Sequence, residues 1–433
     1  MPAVQASCSV TIGHALMNER WKICLTGWQK IGWALDEDLR QVRAALEGGV
    51  DWVSLPRSRV VVSAWPAALL AIPPAALAGK RVVCLADNPP SFYLTAEGFA
   101  CAASRVDLWV ARTHEAMEQF RALDLPAVLV PYHVEETVFQ PLSQRHLLRS
   151  GLGIGEGAFV VGNFHRDSEG ADLSKPKIQK GPDLLLEIAR RLHHVIPGFT
   201  VLLAGPRRHW LMEALRREGI PAVFAGMEPG DRDDYPQNIL SKERLNELYQ
   251  ALDAAVISSR WEGGPYTALE AVLAGCPLFS TPVGTARELL PEERIFEEPD
   301  SGAAKIQKFA SSGGRQGPER LEIKLREQTL VSHGATALRA PLLGAMQSFP
   351  KGGISVRECL RSLLGLIGPR KQGQAHKRIA ALHCAVRELA RKAPPRMQSF
   401  WPTEGSLQDL LECSATIIRA KEGAPENNNS PTT

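Results

Sequence analysis

Short runs of β-branched and aliphatic residues alternate along this chain with longer stretches whose apolar positions recur every three or four residues. In the first third the short runs are WKICLTG, DWVSL, RVVVSAW, RVVCLAD, VDLWVA and AVLVPY, and helical patterns such as ALDEDLRQVRAALE (34–47) and EAMEQFRALDL lie between them. A second series follows, AFVVGNFH, TVLLAG, AVFAG, AAVISS and PLFST, and finishes with RIFEEPDSGAAKIQKFAS, read as a strand and a helix. Strands alternating with helices of this length predict βαβ units on parallel sheets. Two such series predict two Rossmann-like domains in tandem, with ligands in the cleft beyond the carboxyl ends of the strands.

The polar, glycine-rich segment between Pro141 and Gly157 is where the two series join. The expected layout is an N-terminal domain at 1–145, a second at 150–348, and a helical extension with a disordered tail at 349–433. At 433 residues the chain is too long for one ordinary core, and 44% apolar with 22% charged residues is a globular composition. The net charge of +3 hides an asymmetry, because residues 351–396 hold eleven Lys or Arg against two Glu. The eight cysteines show no metal-ligand spacing, which suits reduced thiols in a cytoplasmic protein. No secretory signal is expected, and the most apolar stretch (63–79) is interrupted by Pro66, Pro73 and Pro74, which argues against a membrane span.

The chemistry concentrates in SSRWEGGPYTALEAVLAGCPLFSTPVGTARELL, residues 258–290. A buried strand ends in a Gly263-Gly264 turn, Pro265 suits the first position of a helix, and the helix stops at Gly275. Free N–H groups at such a helix start attract an anion, and glycines let the backbone come close to it. Glu262 precedes the turn, and Glu270 lies about 7 to 8 Å along the helix. That offset suits a diphosphate at the helix start, a sugar beside Glu262 and a ribose beside Glu270. The alternative is a solvent-facing helix with an ordinary surface Glu.

This stretch resembles the Glu-x7-Glu signature of the family 4 retaining glycosyltransferases, whose GT-B fold is two facing Rossmann-like domains; Val283-Gly284 and Glu288 continue the likeness. The resemblance implies that Glu262 contacts hydroxyls of the donor sugar and Glu270 the ribose. It also implies an Arg and a Lys on the donor diphosphate, here Arg166 after AFVVGNFH and Lys180-Gly181 before a helix. The family keeps these two a few residues apart. Here DSEGADLSKPKIQ separates them, so Lys175 and Lys177 are rivals to Lys180. In the first domain the resemblance points to the glycine-containing loop after WKICLTG, with Gly27 and the neighbouring Trp28 and Trp33, and to Asp87, which a turn beginning Asp-Asn-Pro-Pro explains equally well. His114 is a cap neighbour or an acceptor contact, and His133 in the linker is structural.

The resemblance implies transfer of a hexose from a nucleotide-sugar donor to a hydroxyl of a saccharide or glycoconjugate acceptor, with retention, without a metal and with no cofactor beyond the donor. The basic segment 351–396 is either a helical pair packed on the fold or a peripheral contact with an anionic membrane; no nucleic-acid module accompanies it. Two other readings stay open, a catalytically silent sugar-nucleotide-binding or partner-binding protein and a sugar-nucleotide epimerase. A nicotinamide enzyme is disfavoured, because GLGIGEGAF (151–159) precedes a strand instead of following one.

Overall fold

The computed structural model describes residues 20–344, apart from 31, 33, 94–101, 104, 124, 231, 236, 316–319, 335–340 and 343. Trp33 and the basic segment 351–396 therefore lie outside the described residues. Six strands, β1 (Trp21–Thr26), β2 (Val50–Trp52), β3 (Val60–Ser63), β4 (Arg81–Leu85), β5 (Leu108–Ala111) and β6 (Ala127–Leu129), form a parallel sheet in the order β2-β1-β3-β4-β5-β6. Five more, β7 (Phe159–Asn163), β8 (Phe199–Leu203), β9 (Ala222–Phe224), β10 (Ala254–Ile257) and β11 (Leu278–Ser280), form a second parallel sheet in the order β11-β10-β7-β8-β9.

Side chains of one strand alternate between two cores, as the pleat requires. In β3, Val60 and Val62 pack with Ile23, Val83 and Leu39, whereas Val61 packs with Val82, Cys84 and Trp109 on the other face. In the second sheet Val160 and Leu202 serve one core, and Val161, Val201 and Leu203 the other. Helices cover both faces, so the strands read as unbroken apolar runs.

The eleven apolar runs read from the sequence are these eleven strands. The strand expected in RIFEEPD is not formed. Glu292–Arg294 make a single 3-10 turn, Ile295 meets Ser280 in one isolated bridge, and the helix Pro299–Ser311 follows at once. Ile295 and Phe296 are nevertheless buried, so the apolar signal came from plugging the core instead of from pairing.

The linker and the segment from Arg320 to Leu342 tie the two sheets together. The helix Arg145–Gly151 is held to the second unit, because Arg145 and Arg149 both reach Asp253, at 2.6 and 3.2 Å. The helix Arg320–His333 lies against the helix Tyr266–Leu273, where Arg326 donates to the Leu273 carbonyl, and beyond it Leu342 returns to the core of the first sheet. In each sheet the strand order reverses beside its first strand, between β1 and β3 and between β7 and β10. Loops leave such a reversal in opposite directions and open a crevice. The two crevices face each other across one cavity of about 630 Å³. Among the described residues no helix is long and apolar enough to cross a membrane.

Candidate functional site

Glu262 sits in the turn between β10 and the helix Tyr266–Leu273, and its carboxylate is held from two sides. Lys180 Nζ lies 2.5 Å from Oε1 and Ser259 Oγ donates to the same oxygen at 2.7 Å. Burial works to raise the Glu262 pKa, yet the nearby Lys180 charge and His165, with these hydrogen bonds, hold it below the ordinary carboxylate value. Among the described residues the other carboxylate oxygen has no hydrogen bond, and Glu262 lines the cavity.

Lys180 reaches this place because its loop is wedged against β10. The next residue, Gly181, has φ 60°, and a Cβ there would fall 1.9 Å from the Ser258 carbonyl oxygen. Arg260 closes the junction by donating to the Ile178 carbonyl and pairing with Asp183. The insert that lengthens the Arg-to-Lys spacing folds back on itself, with Ser168 and Pro176 bridged antiparallel and the Lys177 N–H returning to the Asp167 carbonyl. The spacing in sequence is therefore not a spacing in space. Arg166 and Lys180 both line the cavity, whereas Lys175 is exposed beside Asp172 and Lys177 pairs with Glu169. Burial and the neighbouring charge of Arg207 lower the pKa of Arg166.

His165, which sequence reasoning passed over, lies under Glu262. Its Nδ1 is 3.2 Å from Ser259 Oγ and its Nε2 is 2.6 Å from Thr267 Oγ1. Since the Ser259 hydroxyl proton goes to Glu262, Nδ1–H donates to Ser259 and Nε2 accepts from Thr267. Burial and the Lys180 charge push the His165 pKa down to about 3, so the ring is neutral and the relay to Glu262 is held in one tautomer.

The turn differs from expectation at Pro265 and shows a neighbour that was not expected at the glycines. Pro265 is the N-cap with extended backbone (φ −67°, ψ 121°), and the helix begins at Tyr266. A Pro with ψ in that range cannot belong to the helix itself. The two glycines, expected to let the backbone approach an anion, make room for the first unit as well: a Cβ on Gly263 would lie 1.8 Å from the Asp87 carbonyl oxygen, and one on Gly264 would lie 2.1 Å from the Tyr132 ring.

The remaining expected residues are spread more widely. Asp87 lines the cavity and is half-buried, and burial with the nearby Asp38 charge pushes its carboxyl up to about 7. Glu270 lies one turn beyond the lining residues Tyr266 and Thr267; its carboxylate accepts from Tyr249 at 3.0 Å, and burial pushes it up to about 7. Gly27 (φ 90°) is in the turn against Ala64 and Ala68, and the cavity wall from that loop is formed by Gln29 and Gly32. His114 follows the N-cap Thr113 and reaches across to Glu288, its N–H 2.6 Å from Oε1. His133 hydrogen-bonds the His333 carbonyl, away from the cavity lining.

A cross-unit cluster was also missed. Asp38, on the helix Ala34–Leu46, accepts from Arg112 at 2.7 Å and from the Tyr266 hydroxyl at 2.5 Å. The Arg112 guanidinium stacks 4.5 Å from the Tyr132 ring centre, and Tyr132 meets Tyr266 edge-on. At the rim Lys242 joins Glu37 and Glu135 at 2.7 and 2.6 Å.

Two parallel sheets whose crevices face each other form a GT-B fold, with a held carboxylate and two cations at one strand reversal. Residues 175–324 match the family model of glycosyl transferases group 1. Among curated relatives, the lipopolysaccharide core biosynthesis mannosyltransferase LpsB of Rhizobium meliloti (strain 1021) is 28% identical over 170 residues, a match spanning 39% of this chain and 44% of that protein's length. Among solved structures, HepE of Anabaena in complex with UDP and glucose superposes with a TM-score of 0.59 at 15% identity, over 76% of this chain and all of that one. A glycosyltransferase from Rickettsia africae ESF-5 gives 0.54 at 12% identity, over 77% of this chain and all of that one. At such identities the superpositions establish the fold.

Proposed function

We propose that this protein transfers a hexose from a nucleoside diphosphate sugar to an acceptor hydroxyl, with retention at the anomeric carbon. The observation that carries the reading is the convergence of Arg166, Lys180 and Glu262 at the β7/β10 reversal, opposite Asp87 across one cavity. Support also comes from a UDP-glucose complex of HepE, which shares the fold, and from the mannosyltransferase relative.

In this reading the diphosphate lies against Arg166, Lys180 and the start of the helix Tyr266–Leu273, with Glu270 towards the ribose. The bond from the anomeric carbon to the phosphate oxygen breaks, and the cations stabilise the charge growing on the leaving nucleoside diphosphate. The acceptor oxygen bonds to the same face of that carbon, and its proton passes to the departing phosphate. Lys180 shares its charge between Glu262 and the phosphate, while the second Glu262 oxygen accepts a hydroxyl of the donor sugar. The reading places charge stabilisation on side chains and a helix start, without a divalent ion.

Calorimetric titration with UDP, GDP, ADP, CMP and their sugars, on wild type and on Lys180→Ala and Glu270→Ala, tests it. Binding of one nucleotide that both substitutions weaken is the expected result. Failure of all of them to bind would sink the transferase and favour a protein that binds partners through another surface.

A further inference from the structure

The cavity has two unlike halves. The side contributed by the second sheet carries the charges, Arg166, Lys180 and Glu262, beside Thr267 and the apolar Phe164, Ile239, Leu240 and Leu245. The side contributed by the first sheet is carbon-rich: Leu35, Trp65, Pro66, Leu70, Phe92 and Ala102 all line it. These side chains come mainly from the loops that follow β3 and β4, at the carboxyl ends of the strands, and the second of those loops also bears Asp87 and Asn88. The wall is not sealed core, since Leu70 remains 37% exposed.

We propose that the acceptor is an amphiphile, a hydroxyl-bearing head with an alkyl chain that lies along this wall. The inference rests on the transferase reading and assigns the class of its second substrate. A saccharide needs hydrogen-bond partners for most of its hydroxyls, and leaving them against carbon is costly. Such a sugar would stack on Trp65 and then face Pro66, Leu70 and Phe92, none of which offers a side-chain polar atom. An alkyl chain needs none, and gains by removing this surface from water. The head is served by polar groups at the same wall, among them Asp87, Asn88 and Gln29, whose Oε1 is buried with no hydrogen-bond partner among the described residues. The exposed end at Leu70 lets a longer chain leave the cavity.

The test compares octyl β-D-glucoside, held below its micellar concentration, with methyl β-D-glucoside by calorimetry on the full chain. Each methylene covered is worth about fourfold in affinity, so three covered methylenes give roughly 60-fold. The expected result is a preference for the octyl compound of at least about 50-fold that Leu70→Asp reduces to below about fivefold. Leu70 is partly exposed, so the substitution is compatible with folding, and Ala67→Asp, also at an exposed position, provides a second variant. Equal affinities for the two glucosides, or no binding of the octyl compound, would overturn the proposal. A preference that survives both substitutions would mean detergent binding elsewhere and would overturn it too. Nucleotide titration of the same samples separates this outcome from failure of the transferase reading, because Leu70 and Ala67 lie on the first-sheet side and should leave nucleotide affinity within about twofold of wild type.

Discussion

The Cβ that Gly263 lacks would stand 1.8 Å from the carbonyl oxygen of Asp87, a residue 176 positions earlier and on the other sheet. The turn that carries Glu262 thus rests on the turn that carries Asp87, main chain on main chain. A Gly263→Ala protein must push the two units apart. Overpacking of this kind costs about 1–3 kcal/mol. The expected outcome is a lower Tm and, on the proposed transferase reading, at least a tenfold loss of sugar transfer with nucleotide affinity nearly kept, since Arg166 and Lys180 both belong to the second unit. A Tm and turnover equal to wild type would show that the contact is not made in solution.

The Lys180–Glu262 pair predicts strong non-additivity. Both side chains are largely buried, at 17% and 9% exposure, and removing either partner leaves a charge that burial penalises. Lys180→Ala is expected to lower kcat about 10²–10³-fold, the range found when one preorganised donor to a developing anion is removed. In stability, the double variant Lys180→Ala/Glu262→Ala should lose less than the sum of the single variants. A double-mutant cycle by chemical denaturation reads the coupling, and additivity within about 0.5 kcal/mol would contradict it.

Glu270 sets a pH dependence of stability. Its carboxyl is raised from the ordinary 4.5 to about 7, so between those values the folded chain keeps a proton that the unfolded chain releases. Stability therefore falls as pH rises from about 4.5 to 7 and is level above that. Glu270→Gln removes this slope and should be more stable than wild type at pH 8, by a margin on the order of 3 kcal/mol. Denaturation midpoints at pH 5 and pH 8 measure it. The gain should appear at pH 8 and nearly vanish at pH 5; a gain equal at both would assign the effect to something other than this titration.

How much of this was legible in the sequence depends on the distance over which each feature acts. β3 and β10 were readable because a parallel strand covered on both faces needs an unbroken apolar run, and VVVS and AAVI are such runs. Glu262 and Lys180 were readable because each sits beside a glycine at the end of a strand or the start of a helix. Asp38 was not. On an amphipathic helix a carboxylate between Glu37 and Leu39 reads as part of the solvated face, and nothing local announces that Arg112 and Tyr266 will bury it. The two glycines announced a close approach, but not that the Asp87 and Tyr132 segments of the first unit make one, since a missing Cβ does not say what comes near. His165 lacked a signal for the same reason, as its partners Ser259 and Thr267 arrive only when β7 and β10 pair.

Asp38 and Tyr266 give the last prediction, about the join between the two sheets. Tyr266 begins the helix of the second unit, and its hydroxyl donates to a carboxylate of the first unit that also neutralises Arg112. Tyr266→Phe removes one hydrogen bond and leaves the buried ion pair, so it should cost about 1 kcal/mol. Asp38→Ala leaves the Arg112 charge buried with its carboxylate gone, and should cost about 3–5 kcal/mol. If the cluster also holds the cleft closed, Tyr266→Phe should raise the radius of gyration measured by small-angle scattering, and saturating nucleotide should bring it back towards the wild-type value. An unchanged radius together with the small stability loss would make Tyr266 a packing residue only, and would leave closure to the Gly263–Asp87 contact and to the Lys242 bridges at the rim.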